Sequence, residues 1–186
     1  SAQFSPDGKY IVTASDDNTA RVWDAKTGEP VTEPLKHEDS VNSAQFSPDG
    51  KYIVTASYDY TARVWDAKTG EPVTEPLKHE GPVYSAQFSP DGKYIVTASS
   101  DNTARVWDAK TGEQLTEPLK HEDYVKSAQF SPDGKYIVTA SWDNTARVWN
   151  ARTGEPVTEP LKHENSVNSA QFSPDGKYIV TASDDN

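Results

Sequence analysis

Histidine, serine and aspartate recur together along this 186-residue chain. His37 is followed by Ser57 and Asp59, His79 by Ser99 and Asp101, His121 by Ser141 and Asp143, and His163 by Ser183 and Asp185. Ser15 and Asp17 repeat the last two without a preceding histidine. These residue types can build an acyl-transfer triad, which needs one exposed hydroxyl, a base in line with it and an oxyanion hole. Here the trio returns at a fixed interval, near Trp23, Trp65, Trp107 and Trp149, each with an indole N–H to donate. Buried polar groups must find partners, and a set that satisfies its own members explains the repetition better than catalysis does. No catalytic residue is therefore assigned, and the chain is read as a non-enzyme. The four histidines stand 42 residues apart, on separate repeats, so they do not form a metal-binding cluster. Glu38, Glu80, Glu122 and Glu164 could attract a cation to a shared mouth, but no specific metal site is assigned. No phosphate-cradling motif appears, and no cofactor is expected.

The elements that must position these residues are legible from the repeat itself. SAQFSPDGKYIVTAS begins at residues 1, 43, 85, 127 and 169, a period of 42 without insertions. Fixed periodicity of this length marks an architecture in which one supersecondary unit buries its faces against copies of itself. The repeats run 1–42, 43–84, 85–126 and 127–168, with a partial repeat at 169–186. In the second, Val41–Ser47 alternates loosely and ends at Pro48-Asp49-Gly50, the chemistry of a type I turn closed by a left-handed glycine. Tyr52–Ser57 is β-branched and nearly all small or apolar, as in a strand buried on both faces. Thr61–Asp66 alternates Ala62 and Val64 with Arg63 and Trp65 as a third strand, and the chain turns again at Gly70. Pro72–Lys78 carries two prolines, which suits an edge strand whose donors are not needed. Four antiparallel strands per repeat, a to d from the inside outwards, describe the blade of an all-β propeller, with four and a half blades here. No helical apolar period appears.

The third strand ends in Trp23-Asp24, Trp65-Asp66 and Trp107-Asp108, with Trp149-Asn150 as a variant, and a Lys-His pair precedes each internal first strand. In this the chain resembles the WD-repeat family of β-propellers over its whole length. It departs from the family in having Lys-His for Gly-His and one Trp-Asn for Trp-Asp. The resemblance implies a buried network of histidine, strand-b Ser or Thr, turn aspartate and strand-c tryptophan. Carried over by motif, it comprises His37, Ser57, Asp59 and Trp65; His79, Ser99, Asp101 and Trp107; and His121, Ser141, Asp143 and Trp149. Ser15, Asp17 and Trp23 lack the histidine, and His163, Ser183 and Asp185 lack the tryptophan.

Composition narrows the partners. Lys and Arg number 18 against 29 Asp and Glu, for a net charge of −11. Nucleic-acid binding is led by phosphate neutralisation, so none is expected. No apolar run is long enough to span a membrane and no signal peptide is apparent, which favours a soluble, cytoplasmic protein. Cysteine and methionine are absent, so no disulfide fixes the compartment. The first residue falls inside strand a, and the chain is expected to derive from a longer array or an engineered fragment.

Nine of the 42 columns differ between copies. Five lie in the d–a and b–c loops, which share one face of a propeller, and these hold every drastic exchange. They place Tyr58, Tyr60, Tyr84, Tyr124 and Trp142 on that face. Exposed aromatics near the middle of a surface act as interface anchors. Drift at tolerant loop tips would scatter changes over both faces, whereas the a–b turn does not vary. The other four columns change conservatively, apart from proline to Gln114. Two functions follow: an interaction scaffold offering the d–a/b–c face to a protein or peptide, or a self-assembling or engineered fragment whose ligand is its own copies. Open end blades would expose apolar faces, so a homodimer closing one eight-bladed ring is expected. Either duplicated hairpin, 1–18 or 169–186, could fill the junction, with exchange of 169–186 favoured.

Overall fold

The computed structural model describes residues 1–185; Asn186, the last residue of the partial repeat, lies outside them. Four sheets of four antiparallel strands follow one another along the chain, and a hairpin closes the series. The first sheet is β1 (Ala2–Phe4), β2 (Tyr10–Ala14), β3 (Thr19–Asp24) and β4 (Leu35–Lys36). The second is β5 (Val41–Phe46), β6 (Tyr52–Ser57), β7 (Thr61–Asp66) and β8 (Leu77–Lys78). The third is β9 (Val83–Phe88), β10 (Tyr94–Ser99), β11 (Thr103–Asp108) and β12 (Leu119–Lys120), and the fourth is β13 (Val125–Phe130), β14 (Tyr136–Ser141), β15 (Thr145–Asn150) and β16 (Leu161–Lys162). β17 (Val167–Phe172) and β18 (Ile179–Ser183) form the final two-stranded unit. Among the described residues there is no helix.

The a–b turn forms as its residues dictate. Gly50 takes φ +70°, its N–H donates to Ser47 O at 2.8 Å, and the Ser47 hydroxyl donates to Asp49 at 2.7 Å. The fourth strand is shorter than Pro72–Lys78. Only Leu77–Lys78 pairs continuously with β7, and an isolated bridge joins Trp65 to Pro72. Between them the ladder fails because Pro76 has no N–H to give and the Thr74 hydroxyl turns to Glu75 O.

The apolar core lies between blades. Val54, Ala56, Ala62, Val64 and Leu77 of the second blade pack on Val83, Ala86, Phe88, Ile95 and Trp107 of the third. Alternate residues of strand b thus serve opposite interfaces, which is why the Tyr52–Ser57 stretch reads as almost continuously apolar. The described blades do not close into a ring. Phe4 on the first blade is 61% exposed against 7% for its repeat mate Phe46, and Val180 on the last unit is 64% exposed against 0% for Val138. β1 pairs with β2, and β2 pairs with β3 of the same chain.

One irregularity aims side chains at a face. Val83 pairs with Ser99 but Ser85 pairs with Ala98, so Tyr84 is an extra residue; Asn42 and Lys126 are its equivalents. A β-bulge bends its strand and re-aims the unpaired residue.

Candidate functional site

The histidine network assembles around a threonine. His37 Nδ1 lies 2.7 Å from Asp59 Oδ2 and its Nε2 lies 2.7 Å from Thr55 Oγ1. Trp65 Nε1 donates to the same hydroxyl at 2.9 Å. A carboxylate only accepts, so histidine Nδ1–H donates to Asp59 and Nε2 accepts from Thr55 O–H. One unbroken chain of donors therefore runs Trp65, Thr55, His37, Asp59. Thr97 and Thr139 do the same for the third and fourth blades.

Placing strand-b serine between histidine and tryptophan is thus corrected. The Ser57 hydroxyl faces the preceding loop, 3.0 Å from Asp39 O and 2.9 Å from Ser40 O, and accepts from Asp59 N. Ser99 and Ser141 likewise hold Gly81 O and Asp123 O. Ser57 and Thr55 share a side of the strand, but Trp65 pairs opposite Ile53. Its indole reaches the diagonal neighbour Thr55, and Ser57 lies a further two residues along, about 6.6 Å. Sequence reasoning also missed Thr61, whose hydroxyl donates to Asp59 at 2.6 Å, and Arg63, which reaches Asp59 at 3.4 Å and Lys36 O at 3.1 Å. A polar residue inside an otherwise apolar buried strand was the available signal for Thr55.

At the ends the sets are incomplete. Trp23 donates to Thr13 at 2.9 Å, and Ser15 accepts from Asp17 N, with no histidine to continue the chain. His163 meets Thr181 at 2.8 Å and Asp185 at 2.7 Å without a tryptophan, and Ser183 holds Asn165 O.

Burial is the chief influence on His79 and His121, pushing both below the ordinary histidine value against the pull of Asp101 and Asp143. Burial alone would raise Asp59 and Asp101, but hydrogen bonds from histidine and threonine outweigh it and hold both well below the carboxylate range. Neutral histidine and charged aspartate fit the donor chain above. The threonine hydroxyls at its centre are fully buried, so they offer no surface to a substrate. Among the described residues, no group of three or more His, Cys, Asp or Glu is placed to hold a metal ion.

The second constellation is on the d–a/b–c face. Tyr58 meets Tyr84 edge-on at 6.1 Å, Tyr84 meets Tyr124 at 6.5 Å, and Tyr124 meets Trp142 at 5.6 Å. One aromatic row therefore spans three blades. Lys126 Nζ, re-aimed by its bulge, sits 3.5 Å from the Tyr84 ring centroid and 4.9 Å from that of Trp142. Burial lowers the Lys126 pKa. Tyr60 is exposed and makes no ring pair among the described residues. It takes φ +69°, where Asn18, Asn102 and Asn144 stand in the other turns. Those asparagines donate to the Glu38, Glu122 and Glu164 carbonyls, a bond tyrosine cannot make.

Blades of four antiparallel strands, packed face to face around a histidine-centred network, define a β-propeller repeat protein. The family model for the WD domain, G-beta repeat, matches residues 1–24, 28–66, 70–108, 112–150 and 154–186. The chain belongs to the WD-repeat family. No curated protein matches it. Repeats of this family generally mediate protein–protein interaction as scaffolds and are typically non-enzymatic. No helix among the described residues is long and apolar enough to cross a membrane.

Proposed function

We propose that this chain is a non-enzymatic scaffold that binds a protein or peptide on its d–a/b–c face. The observation that carries this reading is the continuous row Tyr58–Tyr84–Tyr124–Trp142, drawn from three blades and capped by Lys126. Aromatic anchors supply large, rigid contact area, and Lys126 adds a partly desolvated cation. Tyr60 supports the same reading: it occupies a left-handed position disfavoured for tyrosine, and such strain clusters at functional sites. In the second to fourth blades the His, Thr, Asp and Trp networks are buried and serve the fold, which supports the non-enzymatic reading. The test is affinity capture with Tyr124→Ser/Trp142→Ser beside the wild type. Partners captured by the wild type should be lost from the variant. Retention of the same partners by the variant, with loss on mutating the Lys51 and Lys93 turn tips instead, would place binding on the opposite face.

A second reading is assembly, and the exposed ends favour it. Phe4, Ile11 and Trp23 present the face that Phe46, Ile53 and Trp65 bury elsewhere, while Val180 and Leu161 are uncovered at the other end. These faces complement each other between copies. On this reading two chains close one eight-bladed ring, and residues 169–186 displace residues 1–18 from the c–d strands of the partner. Light scattering should give a mass of two chains. Deleting residues 1–18 should preserve the dimer and deleting 169–186 should weaken it; a mass of one chain at all concentrations ends this reading.

A further inference from the structure

Four further columns each deviate in a single repeat, and three of the four deviations line one groove. Gln114 and Leu115 replace a Pro-Val pair in the third blade; Asn150 and Arg152 replace Asp and Lys in the fourth. Leu115, Asn150 and Arg152 line a groove of about 890 Å³ between these blades on the a–b/c–d side. Gln114 is next to Leu115 in the chain, and its amide donates to Thr116 O at 2.7 Å. Thr32 and Thr74 donate their hydroxyls to the following carbonyl, whereas the buried Thr116 Oγ1 has no partner. Three single-copy changes, from two blades, thus line one interface.

The changes alter the groove's chemistry. Asn150 does the turn work of an aspartate, its Oδ1 accepting from Arg152 N at 2.9 Å and Thr153 N at 3.1 Å. Its amide N–H₂ has no protein partner among the described residues, nor has the exposed Arg152 guanidinium. Lys135 is ion-paired with Asp133 at 3.5 Å, which leaves Arg152 as the unpaired cation, and Asp108 is the one carboxylate in the lining. The equivalent positions between the second and third blades hold two, Asp66 and Asp108. Tyr94, Tyr136 and Leu115 supply an apolar wall, and Leu115 is 45% exposed.

We infer that this groove is a second docking site, separate from the aromatic row, for a peptide segment that places a carboxylate beside an apolar side chain. The carboxylate takes Arg152 and the Asn150 amide, with Arg presenting the planar fork that a carboxylate fits. The apolar side chain lies on Leu115 between the two tyrosines. Charge complementarity is local: the chain as a whole repels an acid, so recognition is made at contact. Both walls are complete blades, so the site does not depend on what covers the ends.

The test uses the chain's own alternatives. Gln114→Pro/Leu115→Val/Asn150→Asp/Arg152→Lys restores residues that the other blades fold with, so loss of structure is not at issue. Circular dichroism and melting confirm that it folds. A displayed random heptapeptide library is selected on the wild type and depleted on this variant. Peptides carrying Asp or Glu within two residues of Leu, Phe or Tyr should emerge, with at least tenfold weaker binding to the variant and to Arg152→Ala. If no pool discriminates between wild type and variant, or if the discriminating peptides are basic, the proposal is overturned.

Discussion

His121 and His163 have the same partners at nearly the same distances. Each meets a strand-b threonine at 2.7 to 2.8 Å and a turn aspartate at 2.7 to 2.8 Å. Their surroundings differ. The His121 and Asp143 side chains are 0% and 5% exposed, those of His163 and Asp185 23% and 32%. The difference is the tryptophan strand, present as β15 around His121 and missing around His163. Local sequence builds the hydrogen bonds in both places; only neighbouring strands exclude water. In water a hydrogen bond exchanges for another of similar strength, whereas a buried group that loses its partner pays the full desolvation penalty. The inner blades should therefore depend on this network far more than the terminal unit does.

The sharpest way to break the comparison is at the threonine. Thr97→Val keeps the shape but orphans His79 Nε2 and Trp107 Nε1, and should cost roughly 2–5 kcal/mol. Thr181→Val, at the exposed copy, should cost less than about 1 kcal/mol. Urea unfolding of the two variants measures both, and equal losses would mean that burial does not set the energetics.

Acid should separate the same regions. Burial depresses His79 and His121 below 6.5 in the folded chain, so the unfolded chain takes protons first as pH falls. The stability they contribute is complete above pH 6.5 and is lost on acidification. The charges facing His79 are Asp101, Arg105 and Glu80, and those facing His121 are Asp143, Arg147 and Glu122. Asp59, Asp101 and Asp143 are held low, so their share is complete above pH 3.8 and is lost as pH falls below it. The expected profile of the denaturation midpoint declines from pH 7 to 5 and again, more steeply, below pH 4. Each unit of pKa difference corresponds to about 1.4 kcal/mol. Removing His79 and His121 together should flatten the first decline.

The aromatic row belongs to the inner blades yet lies at the surface. Tyr124→Ser/Trp142→Ser should cost about 1 kcal/mol, the value of an aromatic pair beyond its area, and a loss above about 3 kcal/mol would make the row part of the core. The smallest effect has the opposite sign. Tyr60→Asn relieves a left-handed tyrosine and offers an amide to the Glu80 carbonyl, so stability should rise by about 0.5–1 kcal/mol. A drop in melting temperature would show that Tyr60 makes contacts that the strain hides.

Much of this was written in the chain. The 42-residue period, the Pro-Asp-Gly turns and the twice-apolar second strand determined blades and their number, because turn chemistry and strand alternation act over a few residues. The histidine, the aspartate and the tryptophan were named as one set from their fixed recurrence and from the resemblance to the WD-repeat family. The hydroxyl that joins them was not: Thr55 and Ser57 share a strand side, and only the diagonal reach of Trp65 across the ladder selects between them. The fourth strand read as seven residues and forms as two, since Pro76 interrupts the ladder. The row of Tyr58, Tyr84, Tyr124 and Trp142 was visible as columns that vary, but not as rings in contact, and Lys126 was not visible as their companion. Those contacts arise from bulges and from the angle between adjacent blades, which no single repeat encodes. Likewise, the sequence determined isolated changes at Leu115, Asn150 and Arg152, and tertiary structure alone decided that they face one groove. Residues from two blades meet there because apolar faces must be buried against a neighbour, and that packing sets positions that spacing along the chain does not.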